Sequence, residues 1–180
     1  MKKLLILSFL FLTLSACDKI DQEVQFSTDY TATFKIPADQ PAGTPLSLEE
    51  VELNVDDRIF ENNHASKDLL EEVRLKKIKL EINPQLNNNV SQLNLDFLTD
   101  AALYIEADNL PKVRIAWIND LTDQQSQSIE LNFLSDNLSD YFKKEAFKLF
   151  LIVSTDQVLN QKVFIDVQIT ADFNTKILGR

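Results

Sequence analysis

Val24-Gln25-Phe26-Ser27-Thr28-Asp29-Tyr30-Thr31-Ala32-Thr33-Phe34-Lys35-Ile36 is the stretch that decides the fold class. Val24, Phe26, Thr28, Tyr30, Ala32, Phe34 and Ile36 share one parity, while Gln25, Ser27, Asp29, Thr31, Thr33 and Lys35 share the other. Period two belongs to an extended chain whose successive side chains project to opposite faces; a helix would repeat every 3.6 residues. One face is apolar and the other wet, as in an antiparallel sheet that covers a core with one side only.

The same period recurs along the rest of the chain. Leu46 and Leu48 are followed by Val51, Leu53 and Val55 on the opposite parity, which places a bulge or strand break near Glu49-Glu50. From Leu75, Ile78, Leu80 and Ile82 alternate with Lys77, Lys79 and Glu81 until Pro84, which cannot donate to a ladder. Leu93, Leu95 and Phe97 read as a further strand. Leu103, Ile105 and Ala107 and then Val113, Ile115 and Trp117 read as a hairpin around Asp108-Asn109-Leu110-Pro111. Ile129, Leu131 and Phe133 follow as one strand. Phe147, Leu149, Leu151 and Val153 alternate too, and Phe150 and Ile152 make this strand apolar on both faces, the pattern of a central strand covered on both sides. Val163, Ile165, Val167, Ile169, Ala171 and Phe173 form the last.

Helical signals are short. Ser66 stands where it can cap a two-turn helix carrying Leu69 and Val73 on one face, and Ser135 to Lys144 suggests a second short helix or an ordered turn. Pro37, Pro41, Gly43 and Pro45, Asn87-Asn88-Asn89, the polar run Asn119 to Gln127, and Asp156-Gln157 supply the connections. The expected architecture is all-β: an antiparallel β-sandwich, immunoglobulin-like or jelly-roll-like, of eight or nine strands with one or two short helices. A closed β-barrel is the alternative, because the long first and last strands could pair and close the sheet. Residues 24–180 read as a single domain.

Composition excludes several function classes. The chain has 180 residues, 18 basic and 28 acidic, for a net charge of −10. Such a surface repels phosphate backbones, so no nucleic-acid partner is expected. Its two glycines, Gly43 and Gly179, are too far apart to build a phosphate-binding loop. One His and one Cys do not make a Cys/His zinc site or a Cys-His nucleophile pair. No cofactor is implied.

The first seventeen residues carry a different message. Lys2 and Lys3, an apolar run from Leu4 to Leu14, and the small residues Ser15 and Ala16 before Cys17 have the three-part form of a secretory signal peptide. The eleven residues of that run reach about 16 Å as a helix, short of a hydrocarbon core of about 30 Å. Leu14-Ser15-Ala16-Cys17 resembles the lipobox of bacterial lipoproteins. The resemblance implies that residues 1–16 are cleaved, that Cys17 is acylated through its sulfur, and that its new amino group receives a further chain. Two or three acyl chains anchor stably where one holds marginally. Residues 17–23 then form the acylated start and tether, and loss of Lys2 and Lys3 leaves sixteen basic against 28 acidic residues, a net −12. Asp18 resembles an inner-membrane retention signal of enterobacterial lipoproteins. The acidic start Asp18-Lys19-Ile20-Asp21-Gln22-Glu23 is similar to those of outer-membrane and surface lipoproteins in Bacteroidetes-type bacteria, and the Asn-, Lys- and Ile-rich body resembles their small β-sandwich lipoproteins. The expected location is the cell envelope, the outer membrane ahead of the inner.

The candidates for chemistry are few. His64, near Ser66 and Asp68, reads as a solvated loop residue rather than a general base. Asp56-Asp57, Asp120 with Asp123, and Asp136, Asn137 and Asp140 are acidic groups of the kind calcium prefers, without the spacing of a calcium loop; capping of a helix start accounts for Asp136 and Asp140, and no metal is expected. Tyr30, Tyr104, Tyr141 and Trp117 could stack sugars, yet Trp117 alternates with Val113 and Ile115 and so reads as core. The expected function is a lipid-anchored, non-catalytic binding or structural domain whose partners are the membrane through Cys17 and an envelope protein or glycan. A glycan- or lipid-binding module is the alternative, and a hydrolase stands behind both.

Overall fold

The computed structural model describes residues 22–88, 92–121 and 125–177. Ten strands run β1 (Gln22–Ile36), β2 (Leu46–Ser47), β3 (Val51–Asn54), β4 (Leu70–Ile82), β5 (Leu98–Ala107), β6 (Leu110–Ile118), β7 (Ser128–Glu130), β8 (Asn132–Phe133), β9 (Ala146–Thr155) and β10 (Val163–Ile177). Two short helices, α1 (Asp57–Asn62) and α2 (Ser139–Phe142), and a 3-10 turn at Lys67–Leu69 join them. Every pairing is antiparallel.

One sheet has the order β1-β10-β4-β7; the other has β2-β9-β5-β6-β8, with β3 also on β9. Both β2 and β3 pair β9 and so act as one strand broken at Leu48–Glu50, where the sequence parity slips. With that pair counted once and β8 taken as a short addition at the edge of β6, the remaining pairings nest: β1 with β10, β2/β3 with β9, β4 with β7, and β5 with β6. A nested antiparallel ribbon rolled so that β10 also meets β4, and β9 also meets β5, is a jelly roll. Of the two sandwich forms expected, this is the one adopted.

The barrel alternative is not. The first and last strands do pair, from Gln22↔Ile177 to Ile36↔Val163, but β10 is bound on its other side by β4 and β1 forms an edge. The sheets stay open and enclose the core between them. Phe34, Phe60, Phe142, Phe147 and Phe173 lie there, all nearly inaccessible. Phe60, carried in by α1, meets Phe26 and Phe173 edge-on at 5.8 Å, and Phe142 meets Phe147 at 4.9 Å, the offset and edge geometries that rings prefer.

Several local expectations are corrected. Residues 66–73 do not form a helix: Ser66 precedes the 3-10 turn without a side-chain cap, and Leu70 already starts β4. Residues Glu71 and Lys76 are extra in β4, where its register with β10 shifts twice. Each bulge lengthens the spacing of buried residues from two to three, so Leu70, Val73, Leu75 and Ile78 imitate a helical stripe. Leu93 to Phe97 are not a strand, although Leu95 and Phe97 are buried. Ile129 to Phe133 are two strands: β7 pairs β4, β8 pairs β6, and the chain crosses between sheets at Leu131. In β9 only Phe147, Leu149, Leu151 and Val153 are buried; Phe150 and Ile152 stay half-exposed because a two-layer fold puts nothing outside that face. The start of α2 is held by Asn137 rather than by Asp136 or Asp140. Its Oδ1 accepts from the amides of Val73 and Ser139, both at 2.9 Å, and its Nδ2 donates to the Glu71 carbonyl at 2.8 Å.

Candidate functional site

The two outer faces differ. On the first sheet, polar side chains satisfy one another across the strands. Thr33 donates to Asp166 and Thr170 to Asp29, each at 2.6 Å; Gln168 donates to Glu81 at 2.9 Å, and Ser27 donates to Asp172. The second sheet carries rings. Its outward positions are set by β6, where Leu103 pairs Ala116 but Tyr104 pairs Arg114, so Ile115 is the extra residue of a bulge. Ile115 and Ala116 are both buried, and the parity of everything after them reverses. Trp117 therefore faces outward, opposite Ala102, and is half-exposed. This overturns the reading of Trp117 as core: one inserted residue exchanges the faces of all that follow it.

Tyr104 of β5 lies between Arg114 and Phe150, and Ala102 lies between Trp117 and Ile152. With strands about 4.8 Å apart, these two rows form a platform about 10 Å wide on an open sheet face. Two cations lie on it. Lys112 Nζ stands 3.5 Å from the Phe150 ring centroid and 5.5 Å from that of Tyr104, and Arg114 Cζ stands 4.8 Å from that of Trp117. A cation over a ring face is attracted by the ring quadrupole, by about 0.5–1 kcal/mol at an exposed position.

The structure divides the four rings considered for sugar stacking. Tyr104 and Trp117 are on the platform, whereas Tyr30 and Tyr141 are buried. Tyr141 donates to the Pro111 carbonyl at 2.7 Å, and burial, with Asp140 nearby, pushes its phenol up. In the sequence Phe150 reads only as the apolar second face of its strand, and nothing there marks Lys112 or Arg114. The available signals were Phe150 at an even position in an odd-parity strand, and the apolar Ala116 and Ile118, which mark a second parity in β6.

A cleft of about 830 Å³ opens at one end of the same sheet, lined among others by Glu52, Glu106, Asp108, Lys143, Lys144 and Lys148. Its charges oppose one another. Lys148 donates to Glu50 at 2.6 Å, and that bond, with Glu50, Glu52 and Glu106 nearby, holds its ammonium above the usual lysine range.

The remaining candidates are dispersed. His64 is exposed at a left-handed φ of 56° just past α1, and no side-chain bond joins it to Ser66 or Asp68. Asp56 caps α1, accepting from the Arg58 amide at 2.9 Å and from its guanidinium; these bonds hold the carboxyl below its usual range. Asp120 takes a left-handed φ of 55°, and Asp123 lies outside the described residues. Among the described residues no three His, Cys, Asp or Glu side chains converge as metal ligands, and no helix is long and apolar enough to cross a membrane. Cys17, with the leader, also lies outside the described residues.

Comparison with protein-family models finds no match, and comparison with curated protein sequences finds none either. Among solved structures the chain is similar to the 60-mer BFDV capsid protein, with a TM-score of 0.42 and 14% identity over 89% of this chain and 96% of that one. The decameric BFDV capsid protein gives 0.41 and 11%, over 86% and 99%. Desmodium yellow mottle tymovirus gives 0.32 and 11%, over 87% and 91%. These likenesses are distant, and the jelly-roll assignment rests on the strand order.

Proposed function

We propose that this chain is a lipoprotein of the bacterial cell envelope, anchored through acyl groups on Cys17, and that its jelly roll is a non-catalytic binding module using the outer face of β9, β5 and β6. The observation that supports this reading is the reversal of parity at Ile115, which brings Trp117 out beside Tyr104 and Phe150. Rings with polar handles, half-covered by long cationic side chains, are typical of surfaces built for contact rather than for packing. The lipobox and the acidic start of the mature chain support the anchor and favour the outer membrane, with either an envelope protein or a glycan as partner.

Two measurements test the reading. Labelled palmitate is expected to enter the wild-type chain and not Cys17→Ala, which should keep its leader; label in that variant would refute the anchor. Affinity electrophoresis through gels containing a panel of soluble polysaccharides should show retardation by at least one polymer that Trp117→Ala and Tyr104→Ala abolish. Retardation unchanged by both variants would remove the platform from the binding surface.

A further inference from the structure

Resting on the platform as the binding surface, we infer the class of its ligand: an acidic polysaccharide, whose sugar rings stack on Trp117 and Tyr104 while its carboxylates pair with Arg114 and Lys112. Charge carries the first step. In a chain of net charge −10, several cations elsewhere on the surface pair with carboxylates: Arg58 with Asp56 at 2.6 Å, Arg74 with Glu72 at 2.5 Å, Lys77 with Glu130 at 2.6 Å, and Lys148 with Glu50 at 2.6 Å; Lys35, Lys143, Lys144 and Lys162 have no such partner among the described residues, and Lys162 Nζ lies 5.4 Å from the Phe164 ring centroid. Lys112 and Arg114, alternate residues of β6, have no carboxylate within 4 Å among the described residues and lie instead on aromatic rings. What distinguishes these two is their place: both lie on the ring platform itself, where an anionic ligand stacked on the rings would meet them.

Geometry carries the second step. Arg114 Cζ lies over the Trp117 ring at 4.8 Å, and a planar guanidinium can bind a carboxylate through two parallel hydrogen bonds. Arg114 and Lys112 lie two residues apart on one strand, roughly 7 Å at the extended rise, so they meet charges spaced along a polymer better than a single anion. The platform is about 10 Å across, about the span of two sugar rings, and it is flat where a small-molecule site is concave. A saccharide offers ring faces that stack on aromatic side chains, which an acidic protein segment need not, and this favours a saccharide over an acidic protein segment.

The test uses the full-length lipidated protein in detergent, with biolayer interferometry against immobilised polygalacturonate, the same polymer fully methyl-esterified, and polyglutamate. Polygalacturonate should bind, and the ester, which has the same rings without charge, should bind far more weakly. The double variant Lys112→Gln/Arg114→Gln should lose about tenfold or more in affinity and much of the salt dependence. Trp117→Ala should weaken binding while leaving the salt dependence in place. Equal binding of acid and ester, abolished by Trp117→Ala, would overturn the acidic ligand and leave the platform standing. Tighter Arg114-dependent binding of polyglutamate would overturn it in favour of an acidic protein. Binding of none of the three polymers would overturn it as well, while retardation of a neutral glycan in the gel assay would still support the platform.

Discussion

Tyr30 offers a test of the core by removal of one atom. Its side chain points inward from β1, is 7% exposed, and packs against Phe142 and Phe147 at ring distances of 5.5 and 5.6 Å. Its Oη is buried and has no hydrogen-bond partner among the described residues. In the unfolded chain that hydroxyl is hydrated, so folding strips it of water and returns nothing, a cost of about 1–3 kcal/mol for an unsatisfied buried group. Tyr30→Phe keeps the ring and both ring contacts and removes the cost. We expect the variant to be more stable by about 1 kcal/mol, a rise in Tm of about 2–4 °C for a domain of this size. Burial also pushes the Tyr30 phenol up, with Asp56 adding to the effect. A group whose folded pKa is raised contributes stability that is complete below its unfolded pKa, about 10 for tyrosine, and is lost as the pH rises above it. Wild type should therefore lose stability above about pH 10 more steeply than Tyr30→Phe, by about 1.4 kcal/mol per pH unit. Urea unfolding of both proteins between neutral and alkaline pH measures the two effects together. A variant less stable than wild type, with an alkaline limb of the same slope, would refute the account of Tyr30 as an orphaned hydroxyl.

Further expectations follow from the same structure. Trp117 is the only Trp, so fluorescence reports its position alone; acrylamide should quench the native protein efficiently, and resistance to quenching would return Trp117 to the core and undo the platform. Asn83, buried just past β4, donates to both Asp166 oxygens at 3.0 Å and accepts from the amides of Gln85 and Leu86 at 2.9 and 2.8 Å. Asn83→Ala leaves those partners unmet and should cost about 2–3 kcal/mol in chemical unfolding, and a loss under 0.5 kcal/mol would contradict the assignment.

The β1 alternation was enough to establish a sheet with one wet face, and β10 repeats it so cleanly that their pairing could be anticipated. What could not be anticipated was the use made of that pairing. Whether β1 and β10 close a barrel or lie within an open sheet depends on what occupies the far side of β10, and β4 is some eighty residues away in sequence. The short-range misreadings have one cause. Bulges at Glu71, Lys76 and Ile115 insert single residues. In β4 they turn a spacing of two into a spacing of three that resembles a helix, and in β6 the insertion hides in a run, Val113, Ile115 and Trp117, that alternates without interruption.

By itself, then, the sequence determined the all-β fold class, because that depends on local periodicity; the single domain and the lipid anchor are expectations it raises from composition and one short motif. The tertiary structure decided the jelly-roll order and the faces. A bulge is visible only against the partner strand whose register it breaks, so the outward position of Trp117, and with it the meeting of Trp117, Tyr104, Phe150, Lys112 and Arg114 from three strands, existed nowhere in the linear chain.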